Sequence, residues 1–542
     1  MAGLTEPEGN EGMEHLVRDL QRPEAYPWRP ANVEFIETHV SWVFLAGERV
    51  VKIKRPVLFP FVDHQRQEDR HRSCRDEVRL NQRLTDGVYL GVVPIRLTST
   101  GYRADAEGDA PVVEHATLMR RLPAERMLDV LLRNGQAPVD LAERLSKRLI
   151  PFHLNVAPVC PGAPKEVAGA ATAIVRDNLD EAEQFAGKPL GRLQLSLVAT
   201  AMRTFIAESD DLFVQRARGG WVREGHGDLR AEHVCLEEDG QVQIFDCVEF
   251  NRDVRCADVA SDIAYMLMDL RRMGAPEAAD ELLARYRAAR VDLPQPLIQL
   301  YMAHRALVRG KIAGIAFASG NGDEQRFRAE KAAGYLDMAS SAVLGARPVV
   351  VAMTGLSGTG KSSVAQRLAR ALGLRYVSSD VVRKELAGVE GAAPAPWGEG
   401  IYAAGLTEAT YARMGELASD ALEAGEGVVL DATYRDGAQR QILAGIAARH
   451  GATTMLIEVT CDEEVVSKRL TARTRRGDSA SDATIETYRR QRQQWESSPP
   501  SIPEGAVAVR VDTSGDLPPD LDEVYEALQG AELIQSKLGL VG

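Results

Sequence analysis

Eight consecutive residues limit the second half of this chain more than anything else in it. Gly355-Leu356-Ser357-Gly358-Thr359-Gly360-Lys361-Ser362 brackets a loop with glycines and follows it with a lysine and a hydroxyl. Glycines let successive backbone N–H groups turn inward around an anion, the lysine adds a mobile positive charge, and the hydroxyl is a hard oxygen donor for magnesium. Upstream, Pro348-Val349-Val350-Val351-Ala352-Met353 is short, apolar and rich in β-branched residues, while Ser363 to Ala369 downstream has helical spacing. Strand, phosphate-cradling loop and helix are therefore predicted. Gly355, Leu356, Ser357, Gly358, Thr359, Gly360, Lys361, Ser362 and Ser363 form the expected ATP cradle, with Ser362 also on Mg2+.

A chain of 542 residues is too long for one ordinary core, so two or more domains are expected. The net charge of -13 argues against broad, sequence-independent binding to nucleic acid or an anionic membrane. The six cysteines (Cys74, Cys160, Cys235, Cys247, Cys256, Cys461) show no C-x-x-C spacing, which fits a reducing compartment better than a disulfide framework or a zinc knuckle. Residues 1–10 are acidic without an apolar stretch, and no segment approaches the length of a membrane span. These features together predict a cytoplasmic protein.

Residues 1–12, rich in Gly and Glu, read as a flexible leader. From Val33 to Pro56 the pattern is that of a hairpin ending in Lys52 and Lys54; a charged helix follows over Arg70–Leu84, then strands near Val92–Leu97 and Val112–Met119. Beyond Leu122 most segments are helical. Strand-rich followed by helix-rich predicts a two-lobe domain over 13–345, with lobes of about 13–118 and 123–345. From 346 to 532 strands and helices alternate, which predicts a parallel sheet covered on both faces, and 533–542 is left as a tail.

The first domain carries a second phosphate-chemistry pattern. His226-Gly227-Asp228-Leu229-Arg230-Ala231-Glu232-His233, followed by Ile244-Phe245-Asp246, resembles the catalytic and metal-binding segments of the protein-kinase-like aminoglycoside phosphotransferase family. The resemblance implies Asp228 as the base that accepts the acceptor hydroxyl's proton, and His233 and Asp246 as metal ligands. It further implies Lys52 or Lys54 as the phosphate-contacting strand lysine, Glu77 as its partner carboxylate, and Met119 at the hinge that meets adenine. The sequence departs from the family at His233, where asparagine is usual, and magnesium prefers oxygen to imidazole. Asp258 and Asp262 lie four apart on one helix face; each suits either a brace for the catalytic loop or a helix-start charge preference.

In the second domain, Ser378-Ser379-Asp380-Val381-Val382-Arg383 and Val428-Val429-Leu430-Asp431 close two strands, where ligands bind in such sheets. With Arg469 and Arg473 four apart on a helix and a loop through Ser481-Asp482, this half is similar to P-loop kinases related to polynucleotide kinase, zeta toxin and gluconate kinase. That likeness implies Asp380 as base or orienter of the acceptor hydroxyl and Arg383 as a grip on acceptor or phosphate. It makes Arg469 and Arg473 a lid for the transferring phosphoryl group, and Asp431 a support for magnesium or acceptor. Motor ATPases of the AAA type use the same loop but add helical subdomains, so a kinase is favoured. Trp397, in the Gly- and Pro-rich stretch 388–401, suits either stacking on the acceptor or anchoring a packed loop.

The expected fold is an α+β protein-kinase-like two-lobe domain followed by an α/β P-loop domain with a parallel sheet. The expected function is phosphotransfer from ATP with Mg2+ to small-molecule hydroxyl acceptors in both halves. The rival reading makes the first half a regulatory or substrate-binding module. A nucleic-acid 5′ end is the less favoured acceptor and would call for a basic channel around Arg383, Arg469 and Arg473.

Overall fold

The computed structural model describes residues 10–59, 62–158, 163–388, 404–476, 485–497, 501–515 and 518–539. The chain divides into two compact units, residues 1–174 with 210–298 and residues 175–209 with 299–542.

In the first unit, six strands form one antiparallel sheet in the order Val33–Glu37, Ser41–Ala46, Arg49–Lys54, Val112–Arg120, Tyr89–Thr98, Gly101–Ala104. Strand alternation sends Phe44, Val51, Ile53, Ile95 and Leu118 into one core with Leu16 and Leu20 of helix Asn10–Leu20. That helix starts inside the segment read as a leader, and Asp19 Oδ2 ties it to the sheet by accepting the Tyr102 N–H at 3.0 Å. Lys52 and Lys54 alternate with Val51 and Ile53, so both ammonium groups leave the strand on one face, toward helix Gln67–Asn81. A helical part follows, built around Leu141–Asn155, Val259–Arg272 and Pro276–Ala288, with a short hairpin pairing Val234–Leu236 and Val242–Ile244. The strand-rich part followed by this helical part makes a protein-kinase-like fold.

In the second unit, five parallel strands run in the order Arg375–Ser378, Val428–Asp431, Val349–Thr354, Thr453–Thr460, Val507–Asp512. The strand that feeds the glycine loop is central, and Val349 to Met353 are without exposure, as a strand covered on both faces requires. This is the P-loop α/β fold. The edge strand Val507–Asp512 escaped the sequence reading because it is only half-covered, with Ala508, Arg510 and Asp512 exposed. Among the described residues no helix is long and apolar enough to cross a membrane.

Helices Arg192–Glu208 and Gly322–Val343 precede the boundary drawn at 345/346, yet they pack in the second unit. Buried Asp337 is the reason: its oxygens accept from Arg367 of the helix after the glycine loop at 3.2 and 3.3 Å, and from Gln194 at 3.2 Å. Asp522 accepts the Leu193 N–H at 2.8 Å in the same way. Such polar anchors between distant segments leave no trace in local periodicity. Asp337→Ala strands the Arg367 charge, and breaking a buried pair from one side costs about 3–5 kcal/mol. A lower denaturation midpoint by circular dichroism is expected, largely recovered by Asp337→Leu with Arg367→Met.

Candidate functional site

In the first unit the site is built on charge. Lys52 Nζ lies 2.6 Å from Glu77 Oε1 and 2.8 Å from Asp246 Oδ1. The other Glu77 oxygen receives Lys54 Nζ at 2.9 Å and the Thr117 hydroxyl at 3.0 Å, and Lys54 also pairs with Glu249. Glu77 and Lys54 side chains are without exposure. Burial alone would raise the Glu77 and Asp246 carboxyls, but the lysines outweigh it: Lys52 and Lys54 hold Glu77 below its ordinary value, and Lys52 holds Asp246 far below. Both strand lysines thus serve one carboxylate, and only Lys52 also reaches Asp246. Glu77, on helix Gln67–Asn81, is buried and faces the two strand lysines, as a partner carboxylate would.

The segment from Gly225 to His233 follows strand Val222–Glu224 and is strapped down by Asp262. Asp262 accepts the His226 N–H at 2.6 Å and the Gly227 N–H at 2.9 Å, so it is a brace, while Asp258 caps its helix by accepting from Ala260 N at 2.8 Å. His226 Nε2 lies 2.9 Å from the Phe245 carbonyl, and its Nδ1 accepts the Asp228 N–H at 3.2 Å. His233 then stands between the two acids, 3.6 Å from Asp228 Oδ2 through Nδ1 and 3.6 Å from Asp246 Oδ2 through Nε2. Asp246 takes φ +63°, a left-handed conformation that turns the chain directly after the Val242–Ile244 strand. Asp246 supplies hard oxygens for a divalent cation, but no group of three or more His, Cys, Asp or Glu side chains suited to a metal occurs among the described residues. His233 fits such an ion poorly, its nitrogen being a soft donor. Met119 lies inside its strand, paired with Val50 on one side and Tyr89 on the other, so the segment leading away from the sheet begins only at Arg121.

In the second unit the site is built on backbone. Gly355 has φ +133°, and a Cβ there would stand 2.5 Å from the Val459 carbonyl oxygen; Gly360, at φ +92°, starts helix Lys361–Leu372. The helix dipole and free N–H groups then face the loop. Lys361 Nζ donates to the Leu356 carbonyl at 2.6 Å, and Ser357 N donates to Gln491 Oε1 at 2.9 Å. Ser362 and Ser363 are exposed on the first turn. Asp380 lies in the first turn of helix Ser379–Ala387 and pairs with Arg383 at 3.1 Å. Burial, reinforced by Asp431, raises the Asp380 carboxyl although Arg383 and Lys361 oppose it. Asp431 accepts the Tyr376 hydroxyl at 2.7 Å; burial, with Asp431 beside it, pushes that hydroxyl up to about 12. Ser362 and Asp431 offer oxygen donors that suit Mg2+.

Arg469 departs from the expected lid. Its guanidinium bonds the Thr513 carbonyl at 2.7 Å, the Thr513 hydroxyl at 3.0 Å and Cys461 Sγ at 3.4 Å, joining the ends of two strands beside Gly360. The Arg473 side chain, Trp397 and Ser481-Asp482 lie outside the described residues. Glu249, Gln491 and Thr513 were missed as site residues. Only Glu249 leaves a local signal, three residues past Asp246, where a buried Lys54 needs a partner.

Residues 350–497 match the family model described as AAA domain. The segment holds the loop, Asp380, Asp431 and the Arg469 helix. An uncharacterized protein of Mycobacterium tuberculosis, Rv2004c, is 29% identical over 458 residues, 84% of this chain and 88% of that one. The GDP complex of wild-type aminoglycoside 2′-phosphotransferase-IIIa covers 57% of this chain and 93% of its own, at 14% identity and TM-score 0.33. A gluconokinase from Sinorhizobium meliloti 1021 covers 34% and 93%, at 23% identity and TM-score 0.23. The first of these structures is similar to the N-terminal region and the second to the C-terminal region.

The raised Asp380 carboxyl has a consequence for stability. A carboxyl whose folded pKa exceeds its unfolded one contributes its stability fully below about pH 3.9, and that contribution is lost as pH rises through the folded value. Asp380→Asn removes this loss, so the variant is expected to melt higher than the parent at pH 7, with the gap closing toward pH 3. Thermal denaturation across that range reads it.

Proposed function

We propose that this chain is an ATP-dependent phosphotransferase with a kinase-type site in each unit, each passing the γ-phosphoryl group to the hydroxyl of a small molecule. The observation that carries the reading is the recurrence of one chemistry in two unrelated frameworks. In the first unit, Lys52 bonds Asp246, and His233 lies between Asp246 and Asp228, 3.6 Å from each. In the second, Lys361 opens the helix after the glycine loop and bonds the Leu356 carbonyl, while Asp380 pairs with Arg383 at 3.1 Å. Each set offers a cation for phosphate, oxygens for magnesium and a carboxylate for the acceptor. Magnesium, which Asp246 would hold in the first unit and Ser362 with Asp431 in the second, would supply positive charge against the phosphates. Asp228 and Asp380 would each orient the acceptor hydroxyl and take its proton as the new P–O bond forms. Arg383, paired with Asp380 at 3.1 Å, would orient that carboxylate and offer a charge to the phosphoryl group. Arg469 acts here by fixing the strand ends around the glycine loop. The net charge of -13 favours a small acceptor over a polyanionic one.

A second reading keeps catalysis in the P-loop unit and makes the first unit a nucleotide-sensing or substrate-binding module. The observation that favours it is His233, an imidazole where magnesium chemistry calls for oxygen. Labelled ATP incubated with a cell metabolite extract separates the two. Under the two-site reading, Lys361→Ala abolishes one set of labelled products, Asp228→Ala abolishes another, and each change lowers its own turnover at least a hundredfold. Label unaffected by Asp228→Ala favours the second reading, and label that survives both changes defeats the proposal.

A further inference from the structure

The catalytic segment of the first unit holds a charge to which the metal-based reading gives no role. Arg230 is buried and lays its guanidinium on Asp228 through two bonds, Nε to Oδ1 at 3.0 Å and Nη2 to Oδ2 at 2.8 Å. The same Nη2 lies 3.3 Å from His233 Nε2. His233 Nδ1 lies 2.9 Å from the Asp228 carbonyl, which can only accept, so the ring proton belongs on Nδ1 and the Nε2 lone pair faces the guanidinium. The nitrogen that would have ligated an ion is thus already engaged by a cation. Glu232 pairs with Arg230 from another side, and the Tyr265 ring lies 6.0 Å from its guanidinium carbon.

Magnesium selects oxygen and takes imidazole reluctantly. A guanidinium is permanently charged and planar, and it can bond a carboxylate and an imidazole lone pair at once. Protein kinases hold two Mg2+ ions, one through the aspartate and one through the asparagine that His233 replaces here; building on the two-site reading above, we propose that Arg230 replaces that second ion in the first unit. His233 is its hydrogen-bond acceptor, and the site takes one divalent ion, at Asp246. Arg230 is then a positioning residue for Asp228. The asparagine-to-histidine departure and the buried arginine become one feature: the oxygen ligand is dispensable where the protein supplies the charge itself.

The test counts metal directly. Mn2+ binding to the full chain carrying Lys361→Ala and Ser362→Ala, which empties the P-loop site, is followed by electron paramagnetic resonance with a non-hydrolysable ATP analogue. One Mn2+ per chain is expected, and His233→Ala leaves that number at one. Arg230→Met with His233→Asn, which removes the charge and restores an oxygen donor, raises it to two. Two Mn2+ in the background chain, one of them lost on His233→Ala, overturns the inference and leaves the two-site reading standing. Failure of that chain to bind the nucleotide analogue at all overturns both.

Discussion

A carboxylate shut away from water must be matched by positive charge, and Glu77 is matched twice, with Lys52 on one oxygen and Lys54 on the other. The chain of alternating signs continues to Asp246 at one end and Glu249 at the other. These five groups come from one strand, one helix and one loop, which would otherwise have little reason to hold a common register. Removing any one of the buried partners would leave an uncompensated charge, so the groups constrain one another's placement. The arrangement fixes Asp246 beside Lys52, while Asp262 straps the segment bearing Asp228 through the His226 and Gly227 N–H groups.

The second unit reaches a similar end by other means. Its phosphate loop depends on main-chain geometry at Gly355 and Gly360, which side-chain chemistry cannot replace. The peptide group joining Leu356 to Ser357 is held at both ends, its carbonyl by Lys361 and its N–H by Gln491. Arg469 and Thr513 brace the neighbouring strand ends, so the loop is shaped before any phosphate arrives. In the first unit preorganisation resides in ion pairs, and in the second it resides in hydrogen bonds to backbone.

How far the site could be read from sequence follows from these differences. The glycine loop was legible because its constraints are local: each position needs a particular residue type for reasons contained within eight residues. Asp228 and Asp246 stand out in the sequence by their spacing, and the fold brings both within 3.6 Å of His233. The choice between Lys52 and Lys54 was not, because residues two apart on a strand share a face, and here both bond the same carboxylate. Asp258 and Asp262 looked equivalent on one helix face, yet one caps the helix and the other straps the loop. Arg469 has the spacing of a lid residue, but the Thr513 carbonyl claims it, and Thr513 lies forty-four residues away.

Local chemistry in the chain determined the two-part architecture, the parallel sheet behind the glycine loop, the strand-rich start of the first unit, and the residue types that can handle phosphate. These are matters of period, of backbone freedom and of charge, and they act over a few residues. Tertiary structure alone decided which helices belong to which unit, through Asp337 and Asp522, and which carboxylates face which cations. Partners such as Lys54 and Glu249, or Arg367 and Asp337, meet only once the chain has closed on itself. An ion pair buried between distant segments has no periodicity to announce it, because its energy depends on a solvent exclusion that only the assembled fold provides.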